Sequence, residues 1–218
     1  MNRTRKHAAR FAVAGSVSTW ILLGGGVAHA DTAVDGVSFA DDRGTLYAPV
    51  RALAAALEVP VRWDSGSGNV YLGEKQIPEE AQRTLVDGQH LVAVRALSQL
   101  DDGTSVQWDA ATNSATVVHK GQTARISVGE KKVLVNLGEQ RMRAYQGSLL
   151  VLDTPVSTGR SGHTTPSGNY TAGPLKTPML ISRAYNDAEM PYSVQIRGDY
   201  VIHGYTSVPD YPASHGCR

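Results

Sequence analysis

The fold of the second half of the chain is decided by the stretch Lys132-Val133-Leu134-Val135-Asn136-Leu137 and its partner Gln140-Arg141-Met142-Arg143-Ala144-Tyr145. From about residue 124 the hydrophobic pattern has a period of two, and Gly138-Glu139 separates the two runs. A period of two with a short turn in between predicts an antiparallel β-hairpin. Gln146-Gly147 predicts a second turn, which leads into a third strand.

Further short strands are expected downstream of this hairpin. The candidates are Ser148–Val156, Asn169–Ala172, Met179–Ser182, Tyr192–Ile196 and Tyr200–His203. Glycine and proline lie between them, and no helical pattern is evident after residue 120. Short, closely spaced strands indicate a mostly-β, sandwich-like or barrel domain, to which we assign residues 124–218.

Residues 43–120 contain an internal repeat. The run Val50-Arg51-Ala52-Leu53 recurs as Val94-Arg95-Ala96-Leu97, and each copy is followed by a Trp-Asp pair, at Trp63 and at Trp108. Each copy is predicted to form a strand, a short helix and a hairpin. We interpret both tryptophans as core residues at their hairpins, with a ligand platform as the alternative. The whole chain is therefore expected to be α+β, with repeat units over residues 31–123.

The first thirty residues have the features of a secretory signal. Four basic residues precede an apolar run, and Ala28-His29-Ala30 offers small residues for cleavage before Asp31. The alternative is an N-terminal membrane anchor, but the run is short of the ~20 residues that a span needs. Cleavage removes four of 21 basic and none of 20 acidic residues, so the formal charge falls from +1 to −3. We expect a secreted protein of the cell envelope with no stable membrane span and no nucleic-acid surface.

Cys217 is the single cysteine, so disulfides do not hold this fold. A thiol attacks well only as thiolate, and His203, at the end of an apolar strand, is the candidate base. Gly204 is expected to let the backbone pass closely, and Gly216 to permit a sharp turn. The backbone N–H groups of Gly216 and Cys217 are then candidates to stabilise an oxyanion.

The other histidines receive weaker assignments. His215, beside the thiol, is expected to support the site structurally rather than to act in catalysis. His163 lies in a glycine-rich loop, where solvent exposure is the default and substrate contact the alternative. A zinc site built from His203, His215 and Cys217 is chemically feasible, but its spacing is loose and we expect no metal.

Taken in order, the motifs of residues 124–218 resemble the L,D-transpeptidases of bacterial peptidoglycan, the YkuD-type catalytic domain. The matching segments are Val135–Arg141, Pro155–Gly159, Thr165–Gly168, Met190–Tyr192, Ile202–Gly204 and Ser214–Cys217. The resemblance implies a cysteine acyltransferase without cofactors that acts on peptidoglycan stem peptides. It implies Cys217 as nucleophile, His203 as proton acceptor and donor, and His215 and Gly216 as support for the oxyanion turn.

The same resemblance implies substrate-binding positions, which are Met190, Tyr192, Gly204 and Ser214. Cys217 is expected to form a thioester with the third residue of a tetrapeptide stem and release D-alanine, and a second stem then forms the cross-link. Water as acceptor gives an L,D-carboxypeptidase instead. Family domains continue for some tens of residues past the nucleophile, so the resemblance also implies a domain that is incomplete at Arg218.

The first half resembles the N-terminal domain of copper amine oxidases, a stalk-like module of exported wall proteins, through its two Arg-Ala-Leu and two Trp-Asp elements. It carries no copper ligands. This half leaves a non-catalytic wall-binding protein as an alternative to the enzyme. A general cysteine peptidase acting on all-L peptides is a third, weaker reading.

Overall fold

The structure is a computed structural model that describes residues 31–215. The predicted signal segment, Gly216 and Cys217 lie outside the described residues. In chain order the strands and the α-helix are β1 (Asp31–Phe39), β2 (Asp42–Pro49), α1 (Val50–Ala56), β3 (Val61–Asp64), β4 (Asn69–Leu72), β5 (Lys75–Gln76), β6 (Gln82–Thr84), β7 (His90–Ala93), β8 (Thr104–Asp109), β9 (Ser114–His119), β10 (Gln122–Val128), β11 (Lys131–Asn136), β12 (Arg141–Gln146), β13 (Leu149–Pro155), β14 (Lys176–Ser182), β15 (Ala188–Arg197) and β16 (Tyr200–Ile202). Short 3-10 helices span Glu79–Ala81, Val94–Gln99 and Arg183–Tyr185. The described chain is therefore mostly β, as the sequence predicts for the second half.

The first half is built on a seven-stranded sheet with the order β6-β7-β2-β1-β10-β9-β8. Its centre is the parallel pair of β1 and β10, in which Val34 lies opposite Ile126. Alternate residues of β9 and β10 are buried, which is the period of two expected for a strand with one face on a core. This sheet carries the main apolar core of the described chain.

Helix α1 packs against this sheet. Pro49 is the N-cap residue, with φ −60° and ψ 126°, so its backbone is still extended and β2 runs directly into the helix. Leu53 is completely buried, and Val50, Ala54 and Ala56 are buried on the same helix. Burial of one leucine side chain contributes about 1.5–3 kcal/mol, so this short helix is stabilised by packing rather than by its length.

The two copies of the sequence repeat fold differently. The first continues through α1 into the β3–β4 hairpin, which belongs to a separate sheet of β3, β4 and β5. The second continues through the 3-10 helix Val94–Gln99 into the β8–β9 hairpin at the edge of the large sheet. The prediction of repeated strand–helix–hairpin units is therefore not confirmed.

The interpretation of Trp63 and Trp108 as core residues is wrong. Trp63 is 50% exposed and Trp108 is 51% exposed. Each tryptophan lies directly opposite a buried residue, Trp63 opposite Val70 and Trp108 opposite Ala115, and therefore faces the same side of its hairpin. Both tryptophans are on edge strands, β3 and β8, where the core does not extend far enough to cover the outer strand. A composition pattern that marks a hairpin does not tell how far the core covers it.

The second half forms two three-stranded antiparallel sheets, β11-β12-β13 and β14-β15-β16. The predicted hairpin is present as β11 and β12, with Val135 opposite Met142. The predicted strand over residues 169–172 is absent: this segment has no strand pairing, and the Tyr170 hydroxyl donates to the Ser167 carbonyl at 3.0 Å. That local bond and the positive φ of Gly168, 146°, favour a turn over an extended strand.

These two sheets leave much of their apolar surface exposed. Among the described residues beyond Ile126, the buried apolar side chains are Leu149 and Met190. Val133 on β11 is 51% exposed, and Ile181 on β14 is 47% exposed. A sandwich-like core between the two sheets is therefore not seen in the described chain. Residues 31–215 also contain no helix long and apolar enough to cross a membrane.

The two halves are joined by a small set of specific contacts. The Gln146 side-chain amide pairs with the backbone of Ser38, accepting from its N–H at 3.2 Å and donating to its carbonyl at 3.0 Å. Asp35 accepts from the N–H of Ser148 at 2.8 Å and from its hydroxyl at 2.5 Å. The neighbouring Leu149 joins the main core. The predicted domain boundary after residue 123 falls within β10, and the β12–β13 turn lies against β1.

Two glycines cross at this junction with almost no space between them. A Cβ on Gly129 would lie 2.3 Å from the Cα of Gly147, and the Gly147 N–H donates to the Glu130 carbonyl at 3.0 Å. Only glycine at position 129 permits this approach without moving backbone.

Gly129→Ala is expected to destabilise the protein by about 1–3 kcal/mol, because the methyl group forces two backbone segments apart. Gly138→Ala is the matched control, since its Cβ would meet nothing nearer than 3.4 Å. Urea unfolding should show a lower midpoint for Gly129→Ala and a near-unchanged one for Gly138→Ala. Equal midpoints would contradict the tight crossing.

Candidate active site

The segment that leads to Cys217 is paired with the chain that follows β13. Gly159 and Ser214 form a parallel bridge. The Ser214 N–H donates to the Thr158 carbonyl at 3.0 Å, and the Arg160 N–H donates to the Ser214 carbonyl at 2.9 Å. Ser214 is thereby held by the backbone on both sides, three residues before the predicted nucleophile.

A side-chain bridge extends this pairing by another step. The Ser157 hydroxyl donates to the Tyr211 carbonyl at 2.8 Å and accepts from the Ala213 N–H at 3.0 Å. The hydroxyl thus replaces a backbone partner on each side of Pro212, which has no N–H to donate. Residues 157–160 therefore act as a template along which residues 211–214 are aligned.

The Gln140 side chain holds residues 157–160 in place through hydrogen bonds to Thr158. Its side-chain carbonyl accepts from the Thr158 N–H at 2.8 Å, and its amide nitrogen donates to the Thr158 hydroxyl at 2.9 Å and to the Leu137 carbonyl. Its own backbone carbonyl accepts from the Val156 N–H at 2.9 Å. Gln140 is 4% exposed, and its φ is 51°. A buried amide with all these partners rigidifies its surroundings, and a loss would leave several groups unsatisfied.

The charged pairs beside Gln140 hold β12 against β13. The Arg141 guanidinium donates to one oxygen of Asp153 through Nε at 3.0 Å and Nη2 at 2.8 Å. This contact holds the pKa of Asp153 below its usual value. The Glu139 carboxylate, bonded to Arg143 at 3.1 Å, raises the pKa of that guanidinium. These pairs are partly exposed and serve mainly to set the strand register.

Gly159 has a steric requirement in the same template. A Cβ there would lie 1.8 Å from the His163 carbonyl oxygen, so no other residue fits without opening the loop. The Gly159 N–H donates to the Thr165 hydroxyl at 2.8 Å. The loop of residues 159–165 is thus folded back on itself beside Ser214.

His215 lies between two aromatic side chains. Its ring centroid is 5.6 Å from that of His163 in an edge-to-face arrangement and 5.2 Å from that of Tyr185. The Tyr185 hydroxyl also donates to the His215 carbonyl at 3.3 Å. His163 is exposed as expected, but it also contacts His215. Tyr185 was not identified from the sequence, because nothing local relates it to a residue thirty positions away.

His203 directly follows β16 and is half-buried. Its Nδ1 lies 2.8 Å from the carbonyl oxygen of Gly204. A carbonyl can only accept, so Nδ1 carries a proton, and in the neutral imidazole Nε2 is then the nitrogen with the lone pair. That tautomer is the one required of a general base acting through Nε2.

The neighbouring strand β15 supplies the other predicted site residues. The Gly204 N–H donates to the Pro191 carbonyl at 2.7 Å. The residue after His203 is thereby paired with the residue between Met190 and Tyr192. Tyr192 is 77% exposed and has a φ of 54°, whereas Met190 is buried. The Gly204 backbone thus lies close to that of Pro191, but a Cβ on Gly204 would meet Pro191 at 3.5 Å, an ordinary contact, so this approach does not require glycine.

The structure thus forms two groups of predicted site residues. Ser214 and His215 lie with the template, and His203 and Gly204 lie on the sheet of β14, β15 and β16. Tyr185, between β14 and β15, reaches from that sheet to His215. Gly216 and Cys217 lie outside the described residues. Within residues 31–215 no group of three or more His, Cys, Asp or Glu side chains is arranged to hold a metal ion.

Two family models match parts of the chain. Residues 130–218 match the family model described as the L,D-transpeptidase catalytic domain, YkuD. Residues 72–155 match the family model of the copper amine oxidase N-terminal domain, so the two matches overlap across β11 to β13. A comparison with curated proteins found no match.

Several solved structures show a weak likeness. An L,D-transpeptidase from Mycobacterium smegmatis is 14% identical, with a TM-score of 0.38 over 87% of this chain and 84% of that one. The LD transpeptidase LdtMt1 in complex with imipenem is 11% identical, with a TM-score of 0.38 over 86% and 83%. Mycobacterium tuberculosis L,D-transpeptidase 1 is 14% identical, with a TM-score of 0.34 over 88% and 87%. At these scores the likeness supports no inference about this chain.

Gln140→Ala is expected to cost about 1–3 kcal/mol, because it leaves the buried Thr158 N–H without an acceptor. Gln195→Ala is the control, since its side chain donates to the Gly198 carbonyl in an exposed turn. Urea unfolding should separate the two variants. A Gln140→Ala protein as stable as the control would contradict the role of Gln140 as the anchor of the template.

Proposed function

We propose that this protein is an exported peptidoglycan L,D-transpeptidase that forms cross-links between stem peptides through a thioester on Cys217. The observation that carries the proposal is the family match over residues 130–218, which includes His203 and Cys217. The pairing of Ser214 with Gly159 supports it, because it holds the backbone three residues before Cys217 in one geometry.

In the first step, His203 Nε2 takes the proton of the Cys217 thiol. The thiolate attacks the carbonyl carbon of the third residue of a tetrapeptide stem. The C–N bond to the terminal D-alanine breaks, and the leaving amine receives the proton from His203. The backbone N–H groups of Gly216 and Cys217 are the proposed donors to the oxyanion of the tetrahedral intermediate.

In the second step, the amine of another stem attacks the thioester carbonyl. The C–S bond breaks, the amine proton passes through His203 to the sulfur, and a new amide joins the two stems. Tyr192 and Gly204 border the proposed acyl-donor groove, with Met190 beneath it. With water as the acceptor, the same thioester gives an L,D-carboxypeptidase, so the ratio of cross-linked to hydrolysed product distinguishes the two activities.

Each part of the chain has a role in this proposal. Residues 1–30 direct export, after which the protein acts in the cell envelope or wall, in wall biogenesis and remodelling. The junction of Gln146 with Ser38 and of Asp35 with Ser148 fixes the first half beside the catalytic sheets. No cofactor takes part, because the thiol, the imidazole and the backbone donors supply the nucleophile, the proton transfers and the oxyanion contacts.

A carbapenem is expected to acylate Cys217, since its strained ring carbonyl accepts the same thiolate attack. The thioester that forms on Cys217 is expected to hydrolyse slowly. Intact-mass measurement should show one adduct on the full chain. Cys217→Ala should show none, and His203→Ala should acylate roughly 10²–10⁴-fold more slowly through loss of the general base.

His90→Ala is the matched control, because His90 is a partly exposed histidine at the start of β7 in the first half. It should acylate at the rate of the unmodified chain. A folded protein without an adduct, or an adduct that persists in Cys217→Ala, would contradict the proposed nucleophile.

A further inference from the structure

Trp63 forms one wall of an open groove in the first half of the molecule. Its ring is 50% exposed and lies against the His90 imidazole, with centroids 4.6 Å apart and planes tilted by 39°. His90 is the first residue of β7, which is held in the large sheet by β2 and β6. A flat aromatic surface is therefore held against a strand that is paired on both sides, yet it remains open to solvent.

The groove beside this ring has a volume of about 540 Å³, within the range of small-ligand sites. Its other walls are formed by α1, by the β3–β4 hairpin and by the turn before β7; the lining includes Val50, Arg51, Arg62, Asp87, Gly88 and Gln89. The Arg62 guanidinium lies 3.8 Å from the centre of the Tyr71 ring, and this contact restricts the Arg62 side chain. The walls are thus largely built from positioned side chains.

The polar side chains of the groove are both donors and acceptors. Asp87 accepts from the Gln89 N–H at 3.1 Å and from its side-chain amide at 2.9 Å, which orients both groups at the rim. The Arg51 guanidinium offers donors on the opposite wall. Charges of both signs are present, so the groove does not select an anion or a cation by its field.

A second groove of about 530 Å³ continues from the first and shares Pro49, Arg51 and Gln89 with it. It runs along Asp35 and Ser148, the pair that joins the two halves. The two grooves together form a path from Trp63 to the edge of the catalytic half. Such a path suits an extended chain with several similar units rather than one compact molecule.

We propose that this path binds a glycan chain, with one pyranose ring stacked on Trp63. The apolar C–H face of a pyranose fits a flat aromatic face, whose negative quadrupole attracts the C–H hydrogens. Its hydroxyl groups need donors and acceptors around the ring, which Asp87, Gln89 and Arg51 provide. The outer edge of β3 also offers backbone groups to an extended peptide, so a free stem tetrapeptide serves as the competing ligand in the test. The choice of a wall glycan among glycans rests on the proposed function, whereas pyranose binding does not.

Trp108 provides a natural control for this site. It follows the same Trp-Asp pattern in β8 and is equally exposed, at 51%, but it does not line either groove. A general affinity of exposed tryptophan for sugars would involve both residues. Selective binding at the groove involves Trp63 alone.

The test is a titration of the full chain with a soluble β-1,4-linked oligomer of N-acetylglucosamine, followed by tryptophan fluorescence and by calorimetry. Trp63→Ala should weaken binding roughly tenfold or more, the effect of losing about 1.4 kcal/mol of contact energy. Trp108→Ala should bind as the unmodified chain does. In Trp108→Phe the saturable fluorescence change should remain, and in Trp63→Phe it should be lost.

A second arm measures the retention of the protein on purified peptidoglycan and its binding to a free stem tetrapeptide. Retention on peptidoglycan should fall for Trp63→Ala but be unchanged for Cys217→Ala, so failure of the catalytic proposal leaves this one standing. No saturable binding of the oligomer, or equal loss in Trp63→Ala and Trp108→Ala, would overturn the proposal. Binding of the tetrapeptide but not the oligomer at Trp63 would also overturn it and would indicate a peptide groove.

Discussion

The buried amide of Gln140 is the constraint on which the candidate active site depends. It completes the hydrogen bonds of Thr158 on one side and of the β11–β12 turn on the other. Because Thr158 and Gly159 are the residues that pair with Ser214, the position of the chain before Cys217 is set by a side chain 74–77 residues away from it. Residues 211–214 are thereby paired with a rigid neighbouring segment without a large apolar core around them.

This arrangement matters because the second half of the described chain buries little apolar surface. Its two sheets keep Val133 and Ile181 exposed, and the main core lies in the first half. Local order in the second half therefore relies on specific polar contacts: the Gln140 network, the Ser157 hydroxyl bridge, and the junction at Gln146 and Asp35. Such contacts fix geometry well, but each one is sensitive to the loss of a single partner.

Much of the fold could be predicted from the local pattern of polar and apolar residues. The period of two around Gly138 predicted the hairpin of β11 and β12, since alternation and turn chemistry act within a few residues. The prediction of a strand over residues 169–172 was wrong, because Gly168 and Tyr170 form a local turn that the alternation of polar and apolar residues does not encode. The exposure of Trp63 and the clamp of Tyr185 on His215 depend on partners distant in sequence. Motif order located His203 and Ser214, whereas Gln140, in a matching segment, revealed its role only through its buried contacts.

The most direct test of the central claim uses a natural stem tetrapeptide as acyl donor. The full chain is mixed with the tetrapeptide, quenched with acid and digested, and the peptide that contains Cys217 is measured by mass spectrometry. This peptide is expected to gain the mass of the donor less D-alanine, and addition of an amine acceptor is expected to convert the adduct into cross-linked product. Release of D-alanine that continues unchanged in Cys217→Ala would contradict the central claim.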